Sequence, residues 1–364
     1  MTAVGLEKVL ISHFRTHKLS NMTFCEGPVV LYGPNGTGKT NILEAISLLS
    51  PGKGFRGAGV DELSRNPEKI GWKISADIMF DNNLRKLETW SDGKSPRKIT
   101  IDGKKTSQIK LGELVRILWI TPLMDRVWLD GASGRRKLLD RIVISFFPQH
   151  TEHILNYYKA MKQRNRLMKE QNLNERWYDA LEAQMAVSGF EIDIYRRQAI
   201  DKLMNAQKHS RGSFPLARLD LCGFEFASAK DYESCLNNNR KKDFFFGRTS
   251  EGPHLSDLSA QYVSKGTNAR NCSTGEQKAL LLSLILSTAK IQVEELNCSP
   301  ILLLDEVAAH LDTGKRALLY DEICNLGIQA FLTGTDESLF SMLKGRAQFV
   351  QLKLESSISK YSLN

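Results

Sequence analysis

Apolar and polar positions alternate in short, strand-like runs at both ends of the chain, and a long stretch of helical spacing lies between them. Near the start, the apolar runs have strand length and are separated by polar or glycine-rich residues. This pattern predicts strands at residues 6–14, 29–32, 72–80 and 84–90. A Gly/Lys/Arg segment at residues 51–59 cannot form regular structure and predicts a loop.

Helical spacing dominates residues 135–208 in the middle of the chain. Pro148 and the Ser188-Gly189 pair interrupt the apolar positions, so we expect several moderate helices and no extended coiled coil. Residues 215–226 have strand composition again, and residues 237–242 predict a polar, basic turn.

Alternating helices and strands return near the C-terminal end. The pattern predicts helices at residues 275–295 and 314–326, and strands at 301–304, 329–333 and 349–354. The two ends therefore share an α/β pattern. We expect one split α/β domain, formed by residues 1–130 and 248–364, with a mainly helical second lobe inserted at residues 131–247.

A phosphate-binding pattern, G-x-x-x-x-G-K-[ST], lies between the strand at 29–32 and the first helical segment. Its residues are Gly33, Pro34, Asn35, Gly36, Thr37, Gly38, Lys39 and Thr40. The glycines let backbone N–H groups turn toward phosphate oxygens, and the following helix adds the positive end of its dipole. Lys39 is placed to charge-pair with the β- and γ-phosphates, and the Thr40 hydroxyl to hold Mg²⁺. An ordinary glycine-rich turn does not need the full pattern, so we predict a nucleoside triphosphate site.

Two acids, Asp305 and Glu306, follow the continuous apolar run at residues 301–304. Such a run is typical of a central parallel strand whose carboxyl end faces a ligand. Asp305 is then placed to hold Mg²⁺, and Glu306 to polarise the attacking water as a general base, with Lys39 as the third catalytic group. The alternative is an acidic pair that caps the next helix, and the phosphate loop in the same chain favours the catalytic interpretation.

A third segment, around Ser273 and Gly275, opens the predicted helix at 275–295. A serine, a glycine and a helix N-terminus together offer hydrogen-bond donors to a phosphate. Ser273 and Glu276 also have the spacing of a capping box, and the two interpretations are compatible.

Charge and cysteine content narrow the class of protein. The formal charge is +9, and residues 131–247 contribute 20 Lys/Arg against 14 Asp/Glu, so the inserted lobe is a candidate surface for a polyanion such as DNA. The six cysteines form no C-x-x-C pair, which excludes the usual zinc and disulfide patterns and fits a reducing cytoplasm. The longest apolar run, residues 279–289, is too short to cross a bilayer, so no membrane association is expected.

The order of these motifs resembles that of the ABC-type ATPases. The segment Ser273-Thr274-Gly275-Glu276-Gln277 resembles the ABC signature, which usually has glycine at the position of Thr274. A loop like residues 309–312, with its aspartate at Asp312, follows the catalytic glutamate there. A sharper resemblance is to the RecF family of bacterial recombination mediators, related to the ATPase heads of SMC chromosome proteins. It is carried by residues 33–46, 55–56, 121–126, 133–141, 251–254 and 331–336.

The resemblance implies an ABC/SMC-like ATPase head that binds ATP and Mg²⁺. It further implies an ATP-dependent, DNA-binding mediator of replication-linked repair, acting with RecO and RecR at single-strand gaps and duplex junctions to promote RecA loading, and belonging to the SOS response. A weak, DNA-stimulated ATPase would serve as a timing switch, and two chains would dimerise with ATP bound between Ser273 of one and the phosphate loop of the other.

Several family positions leave alternatives open. Leu255 stands where the family usually has arginine after its Gly-Pro-His motif. Phe14-Arg15 resembles an aromatic-arginine element near the nucleotide, but an edge strand with a solvated arginine fits as well. His254 and His310 either approach the γ-phosphate or are packed in the fold, and the cations of residues 135–141 form either a DNA contact or a solvated helix face.

Two other classes of protein share parts of this pattern. The nucleotide-binding subunit of a transporter needs a surface for a membrane partner and usually has a shorter helical arm. A long-armed ATPase of double-strand-break repair needs long heptad repeats and a C-x-x-C hook, and the sequence has neither.

Overall fold

The computed structural model describes residues 4–172, 174–208 and 214–353. They form two compact units, the first built mainly from the described parts of 1–125 and 273–364, and the second from those of 126–210 and 216–272. The second unit extends past residue 247, where the sequence pattern placed a boundary. It does so because the strand Asp257–Tyr262 pairs with the strand Ala217–Cys222 inside that unit.

The first unit contains a six-stranded antiparallel sheet. In spatial order its strands are β2 (His17–Thr23), β1 (Val4–Phe14), β4 (Trp72–Phe80), β5 (Asn83–Ser91), β6 (Lys98–Ile101) and β7 (Lys104–Lys105). Alternate residues of β4 are buried, and β1 has the same alternation on either side of a register shift between Leu6 and Lys8. β2 was not predicted because its buried face carries His17 and Ser20 in place of apolar residues.

A five-stranded sheet, parallel throughout, forms the centre of the same unit. In spatial order its strands are β14 (Gln348–Gln351), β3 (Pro28–Tyr32), β13 (Ala330–Gly334), β12 (Ile301–Leu304) and β8 (Ile117–Ile120). Its helices are α1 (Lys39–Ser47), α2 (Gln108–Leu114), α8 (Thr274–Glu294) and α9 (Thr313–Leu326). The predicted strands and helices of this region are confirmed, and residues 51–59 form an irregular loop. Residue 354, the end of the last predicted strand, lies outside the described residues.

β8 was not predicted, although it is an edge strand of the parallel sheet. It is four residues long, Ile-Leu-Trp-Ile, and all four are buried. A buried apolar run of this length has no periodicity that separates a strand from a piece of helix. Its pairing with β12, residue for residue from Ile301↔Ile117 to Leu304↔Ile120, is what makes it a strand.

The second unit combines helices with a three-stranded antiparallel sheet. Its helices are α3 (Ala132–Phe146), α4 (His150–Lys169), α5 (Glu175–Lys208), α6 (Ala229–Asn238) and α7 (Arg240–Phe246). Its strands, in the spatial order β11, β10 and β9, are β9 (Ala217–Cys222), β10 (Asp257–Tyr262) and β11 (Thr267–Asn268).

The predicted break at Ser188-Gly189 is wrong, because α5 continues through it. A Cβ atom at Gly189 would lie 2.9 Å from Tyr232 Cε1 and 3.2 Å from Tyr157 Cε2. Glycine therefore allows α5 to pack closely against α4 and α6, and it does not end the helix. The predicted turn at residues 237–242 is also wrong, since α6 and α7 meet at Asn239.

Candidate functional site

The phosphate loop joins the buried strand β3 to α1, in the context that the sequence predicted. Two of its glycines are required by close neighbours as well as by backbone conformation. Gly33 has φ +147°, and a Cβ there would lie 2.2 Å from the carbonyl oxygen of Leu352. Gly38 has φ +88°, and a Cβ there would lie 2.5 Å from Nε2 of His17. Any side chain at either position would displace the loop from the sheet.

His17 contacts the phosphate loop through a hydrogen bond to Gly38. Its Nε2 donates to the carbonyl oxygen of Gly38 at 3.2 Å, and its Nδ1 accepts from the Ser20 hydroxyl at 2.8 Å. The carbonyl can only accept, so the neutral ring carries its proton on Nε2. Burial lowers the pKa of His17, which keeps the ring in this neutral form. Sequence reasoning missed this residue, because an alternating strand pattern gives no reason to single out a histidine.

Lys39 is the first residue of α1, and its side chain is buried. Its Nζ donates to the carbonyl oxygens of Gly33 and Pro34 at 2.7 and 2.9 Å. An ammonium has three N–H donors, so one remains for a phosphate oxygen. No side chain caps the helix at Gly38, and the first-turn N–H groups of α1 belong to the set that a helix leaves without internal acceptors. The loop thus combines a held cation with free backbone donors.

Asp305 and Glu306 lie at the carboxyl end of β12, next to the loop. The Thr40 hydroxyl donates to Asp305 Oδ1 at 3.0 Å, and the Thr333 hydroxyl donates to the same oxygen at 2.9 Å. Thr333 also accepts the backbone N–H of Glu306 at 2.8 Å. One threonine from β13 therefore fixes both acids. Sequence reasoning assigned it no role, since its hydroxyl matters only because β12 and β13 are neighbours.

Burial shifts the pKa values of Asp305 and Lys39 in opposite directions. It raises the pKa of Asp305, which the negative charge of Glu306 raises further, although the Thr333 and Thr40 hydroxyls partly offset both effects. Burial lowers the pKa of Lys39, and the charges of Glu306 and Asp305 oppose that change. The two acids and the lysine therefore interact electrostatically across the loop.

The oxygens of Thr40 and Asp305 fit a magnesium ion, which prefers hard oxygen ligands and one or two protein groups together with substrate phosphates. Among the described residues, no group of three or more His, Cys, Asp or Glu side chains is placed to hold a metal ion. Phosphate oxygens of a bound nucleotide would complete the coordination of an ion held by Thr40 and Asp305.

An ion-pair network centred on the buried Glu44 contacts the helix that follows the loop. Glu44 of α1 is fully buried and accepts two hydrogen bonds from Arg15, at 2.6 and 2.9 Å, and one from Arg56 at 3.1 Å. Arg56 also donates to Asn41 at 3.1 Å. Arg15 is therefore not a solvated arginine on an edge strand, because β1 lies inside the sheet and Arg15 pairs with α1. The network ties the β1–β2 turn and the 51–59 loop to the helix that carries Lys39 and Thr40.

Ser273 and Gly275 open α8, and the capping box predicted from the sequence is confirmed. Glu276 N–H donates to the Ser273 hydroxyl at 3.4 Å, and Ser273 N–H donates to the Glu276 carboxylate at 2.9 Å. Ser273 is exposed, and nothing lies within 4 Å of a Cβ at Gly275. Within the described ranges, no hydrogen bond connects either residue to the phosphate loop, so the structure brings Lys39, Thr40, Asp305 and Glu306 together without Ser273 or Gly275.

Asp312 caps α9, accepting from the backbone N–H of Lys315 at 2.8 Å, and Lys315 Nζ lies 3.1 Å from its carboxylate. The backbone of His310 belongs to the preceding 3₁₀ turn, but its side chain lies outside what the structure describes. No helix in the described part of the chain is long and apolar enough to span a bilayer.

Comparison with known proteins places this geometry in a family. A family model described as the RecF/RecN/SMC N-terminal domain matches residues 5–359. The protein named "DNA replication and repair protein RecF" of Brucella suis biovar 1 (strain 1330) is 41% identical over 360 residues, covering 95% of this chain and 94% of the relative. The chain belongs to the RecF family. RecF of Rhizobium rhizogenes (strain K84) is 40% identical over 360 residues, covering 95% and 96% of the two chains.

Solved RecF structures have the same fold. "Structure of the recombination mediator protein RecF-ATPrS in RecFOR pathway" superposes with a TM-score of 0.82 at 26% identity, covering 96% of each chain. The corresponding RecF-ATP structure gives 0.81 at 25% identity, covering 97% of this chain and 98% of that one. An SMC head bound to the C-winged helix domain of ScpA, 14% identical with a TM-score of 0.54, shares the ABC/SMC-like head fold, covering 98% and 97% of the two chains.

The RecF-like Gly-Pro-His motif lies inside the second unit. His254 Nδ1 accepts from the Tyr157 hydroxyl at 2.7 Å, and its Nε2 donates to the Thr249 carbonyl at 3.3 Å. Tyr157 in turn bonds Tyr232, with 3.0 Å between the hydroxyls. His254 is therefore packed in the fold, which is one of the two alternatives that the sequence left open. Leu255, at the family's arginine position, is about half-exposed.

Several cations of the RecF-like 133–141 segment and the following helices also face inward. Arg135 pairs with Asp257 at 2.7 Å, and Arg136 donates to the carbonyl of Ser256 at 2.7 Å. Two further arginines of the second unit, Arg164 and Arg196, are fully buried in ion pairs. Arg135 and Arg136 therefore make contacts within the second unit and do not belong to a fully solvated helix face. A DNA contact by the cations of residues 135–141 stays a prediction. The net positive charge of residues 131–247 thus includes arginines that serve internal packing.

The half-buried His254 predicts that acid destabilises the fold. Burial lowers the pKa of His254 to about 4, from an ordinary value of 6.5. Between these values the unfolded chain binds a proton that the folded chain does not. Its contribution to the free energy of unfolding is therefore complete above pH 6.5 and is lost as the pH falls toward 4, by about 3 kcal/mol in total. In guanidinium titrations followed by circular dichroism, His254→Gln should flatten this pH dependence. An unchanged slope in His254→Gln would contradict the assignment.

Proposed function

We propose that this protein is an ATP-dependent DNA-binding recombination mediator in DNA replication and repair. The observation that carries the proposal is the assembled site of Lys39, Thr40, Asp305 and Glu306 at the carboxyl ends of parallel strands, in a chain of the RecF family. The RecF structures named for ATP and ATPrS support ATP as the nucleotide.

The contacts of the site suggest a role for each residue. The phosphate loop N–H groups and Lys39 bind the β- and γ-phosphates, and the Lys39 charge is held in place by the loop carbonyls. Thr40 and Asp305 would hold Mg²⁺, which would neutralise charge on the phosphates. Glu306, fixed through its N–H by Thr333, orients and deprotonates the attacking water. The expected activity is slow, DNA-stimulated hydrolysis of ATP to ADP and phosphate, used as a timing switch.

The partners follow from the family. The RecFOR pathway named for the solved relatives supports RecO and RecR as partners. DNA containing single-strand gaps, with their duplex junctions, is the proposed substrate, and promotion of RecA loading within the SOS response is the proposed outcome. A cytoplasmic location is consistent with these partners and is part of the same proposal.

We further propose that two chains dimerise around ATP. Ser273 is exposed and Gly275 half-buried at the start of α8, and within the described residues neither makes a hydrogen bond to its own phosphate loop. A γ-phosphate held by a facing chain would give this helix N-terminus the acceptor that it needs. ATP would therefore strengthen the dimer, and hydrolysis would weaken it.

Mixing two defective chains tests the dimer. Ser273→Arg should bind ATP through its intact loop but fail to self-associate, because the arginine fills the position of the facing phosphate. Mixed with Lys39→Ala chains it should form heterodimers with one complete site. Sedimentation velocity with ATP should detect them, whereas Ser341→Arg, a change at another exposed serine, should dimerise as the wild type does. If the mixture shows no association beyond that of each mutant alone, the signature does not act across chains.

DNA binding under different nucleotide states tests the proposed function. Fluorescence anisotropy with gapped and blunt duplexes, over a salt series, should show tight binding with ATP and weak binding with ADP or without nucleotide. Affinity should fall as salt rises, because phosphate contacts release counterions. Equal affinity in all nucleotide states would overturn the ATP-dependent role, and no DNA binding at all would overturn the mediator assignment.

A further inference from the structure

The short helix α7 is anchored in the second unit by two of its residues. The buried Asp243 accepts from Arg164 at 2.7 Å and from the backbone N–H of Ser250 at 2.9 Å. Phe244 packs against the small apolar cluster that contains Leu167 and Tyr178. These contacts fix which face of α7 points inward, and therefore which residues face the solvent.

The outward face of α7 carries two exposed aromatic rings. The exposed fraction is 84% for Phe245 and 56% for Phe246, and their ring centroids are 5.2 Å apart. Phe244 and Leu181 pack against the cluster beneath, and among the described residues neither Phe245 nor Phe246 belongs to it. An exposed pair of large apolar rings is informative, because folding gains nothing from leaving it in water.

Positive charges surround these rings. Lys241 and Lys242 lie four residues before Phe245 and Phe246, so each lysine shares a helix face with one ring. Arg248 follows the helix cap at Gly247, and the Lys169 side chain comes within 3.6 Å of a Cβ at Gly247. All four cations are exposed. Within the ranges that the structure describes, none of them has a carboxylate oxygen within ion-pair distance. We call these two rings and four cations the α7 patch.

We propose that the α7 patch is a binding site for single-stranded DNA. The proposal rests on the DNA-binding function proposed above and names a surface for one of its substrates. Exposed rings offer stacking platforms for unpaired bases, and cations beside them attract the phosphates of the same strand. Duplex DNA keeps its bases stacked on each other, so it can use the cations but not the rings. A protein partner would need acidic groups to match the four unpaired cations. Binding of such a partner in place of DNA is one of the outcomes of the test.

The experiment compares single-stranded and duplex DNA with the full-length chain in ATP. The probes are a fluorescein-labelled oligothymidine and a blunt duplex, each of about 30 nucleotides per strand, longer than a typical single-strand site. In Phe245→Ala/Phe246→Ala, affinity for oligothymidine should fall about tenfold or more, and affinity for the duplex should stay within about twofold. Lys241→Gln/Lys242→Gln should weaken both and reduce the salt dependence of binding.

Matched controls separate the patch from general effects. Leu155→Ala removes an exposed apolar side chain of α4, about 21 Å along that helix from Lys169, and should leave both affinities unchanged. Lys104→Gln removes an exposed cation of β7, outside the patch, and should also leave both affinities unchanged. Circular dichroism should show that the phenylalanine variant folds, since both rings are largely exposed.

The outcomes distinguish this inference from the proposed function. Selective loss of oligothymidine binding supports the patch. If the wild type binds both probes and the phenylalanine variant binds oligothymidine equally well, the patch does not bind single strands, and the rings are then candidates for a protein partner. If the wild type binds neither probe, the proposed DNA-binding function itself is overturned.

Discussion

Replacing Lys39 with alanine should weaken ATP binding by about 3 kcal/mol or more, roughly 100-fold, with little effect on the fold. Lys39 supplies a positive charge in the phosphate loop, where its Nζ donates to the carbonyl oxygens of Gly33 and Pro34. Its removal costs the strongest contact to the phosphates, because charge-assisted hydrogen bonds are stronger than neutral ones. The fold loses only two hydrogen bonds within a surface loop.

Isothermal titration with ATP and Mg²⁺ measures this change directly. Lys53→Ala provides a matched control, because Lys53 is an exposed cation in the 51–59 loop. Thermal unfolding of both variants without nucleotide should match the wild type closely. Unchanged ATP affinity in Lys39→Ala would mean that the loop is a structural turn and that the nucleotide site lies elsewhere.

Replacing Glu306 with glutamine should slow ATP hydrolysis by about 10²–10⁴-fold while ATP still binds. Glutamine keeps the size of the side chain and the backbone N–H that Thr333 accepts, but it cannot take a proton from water. The backbone at Glu306 has φ +53°, and glutamine has the same backbone requirements, so the turn should persist. One negative charge close to the phosphates is also removed, which favours ATP binding.

Single-turnover phosphate release, measured with and without DNA, tests this assignment. Glu26→Gln alters an exposed acid in the segment before β3, away from the carboxyl end of the sheet, and should hydrolyse ATP at the wild-type rate. Hydrolysis by Glu306→Gln at the original rate would place the general base elsewhere. Loss of ATP binding together with hydrolysis would instead show that Glu306 serves the binding of nucleotide.

The sequence predicted the parts of the site that local pattern determines. The full G-x-x-x-x-G-K-[ST] pattern predicted that residues 33–40 join a strand to a helix, and the structure places them between β3 and α1. The acids after residues 301–304 could be assigned because a buried parallel strand ends at the ligand edge of a sheet. Both predictions depend on residues that are neighbours in the sequence.

What the sequence could not predict depends on neighbours in space. Thr333 acquires a role only because β13 lies beside β12, and Arg15 only because the β1–β2 turn reaches Glu44 in α1. The continuity of α5 through Gly189 likewise depends on Tyr157 and Tyr232, which occupy the space of a side chain. Propensity disfavours glycine within a helix, but tertiary packing outweighs that preference here.

We propose that ATP controls both dimerisation and DNA binding, and one sedimentation measurement tests the two together. The Glu306→Gln chain, labelled gapped DNA and ATP should give a complex of two 41.0 kDa chains on one DNA, and ADP should return free DNA and single chains. DNA bound by a single chain, or equally by two chains in ATP and in ADP, would contradict the account.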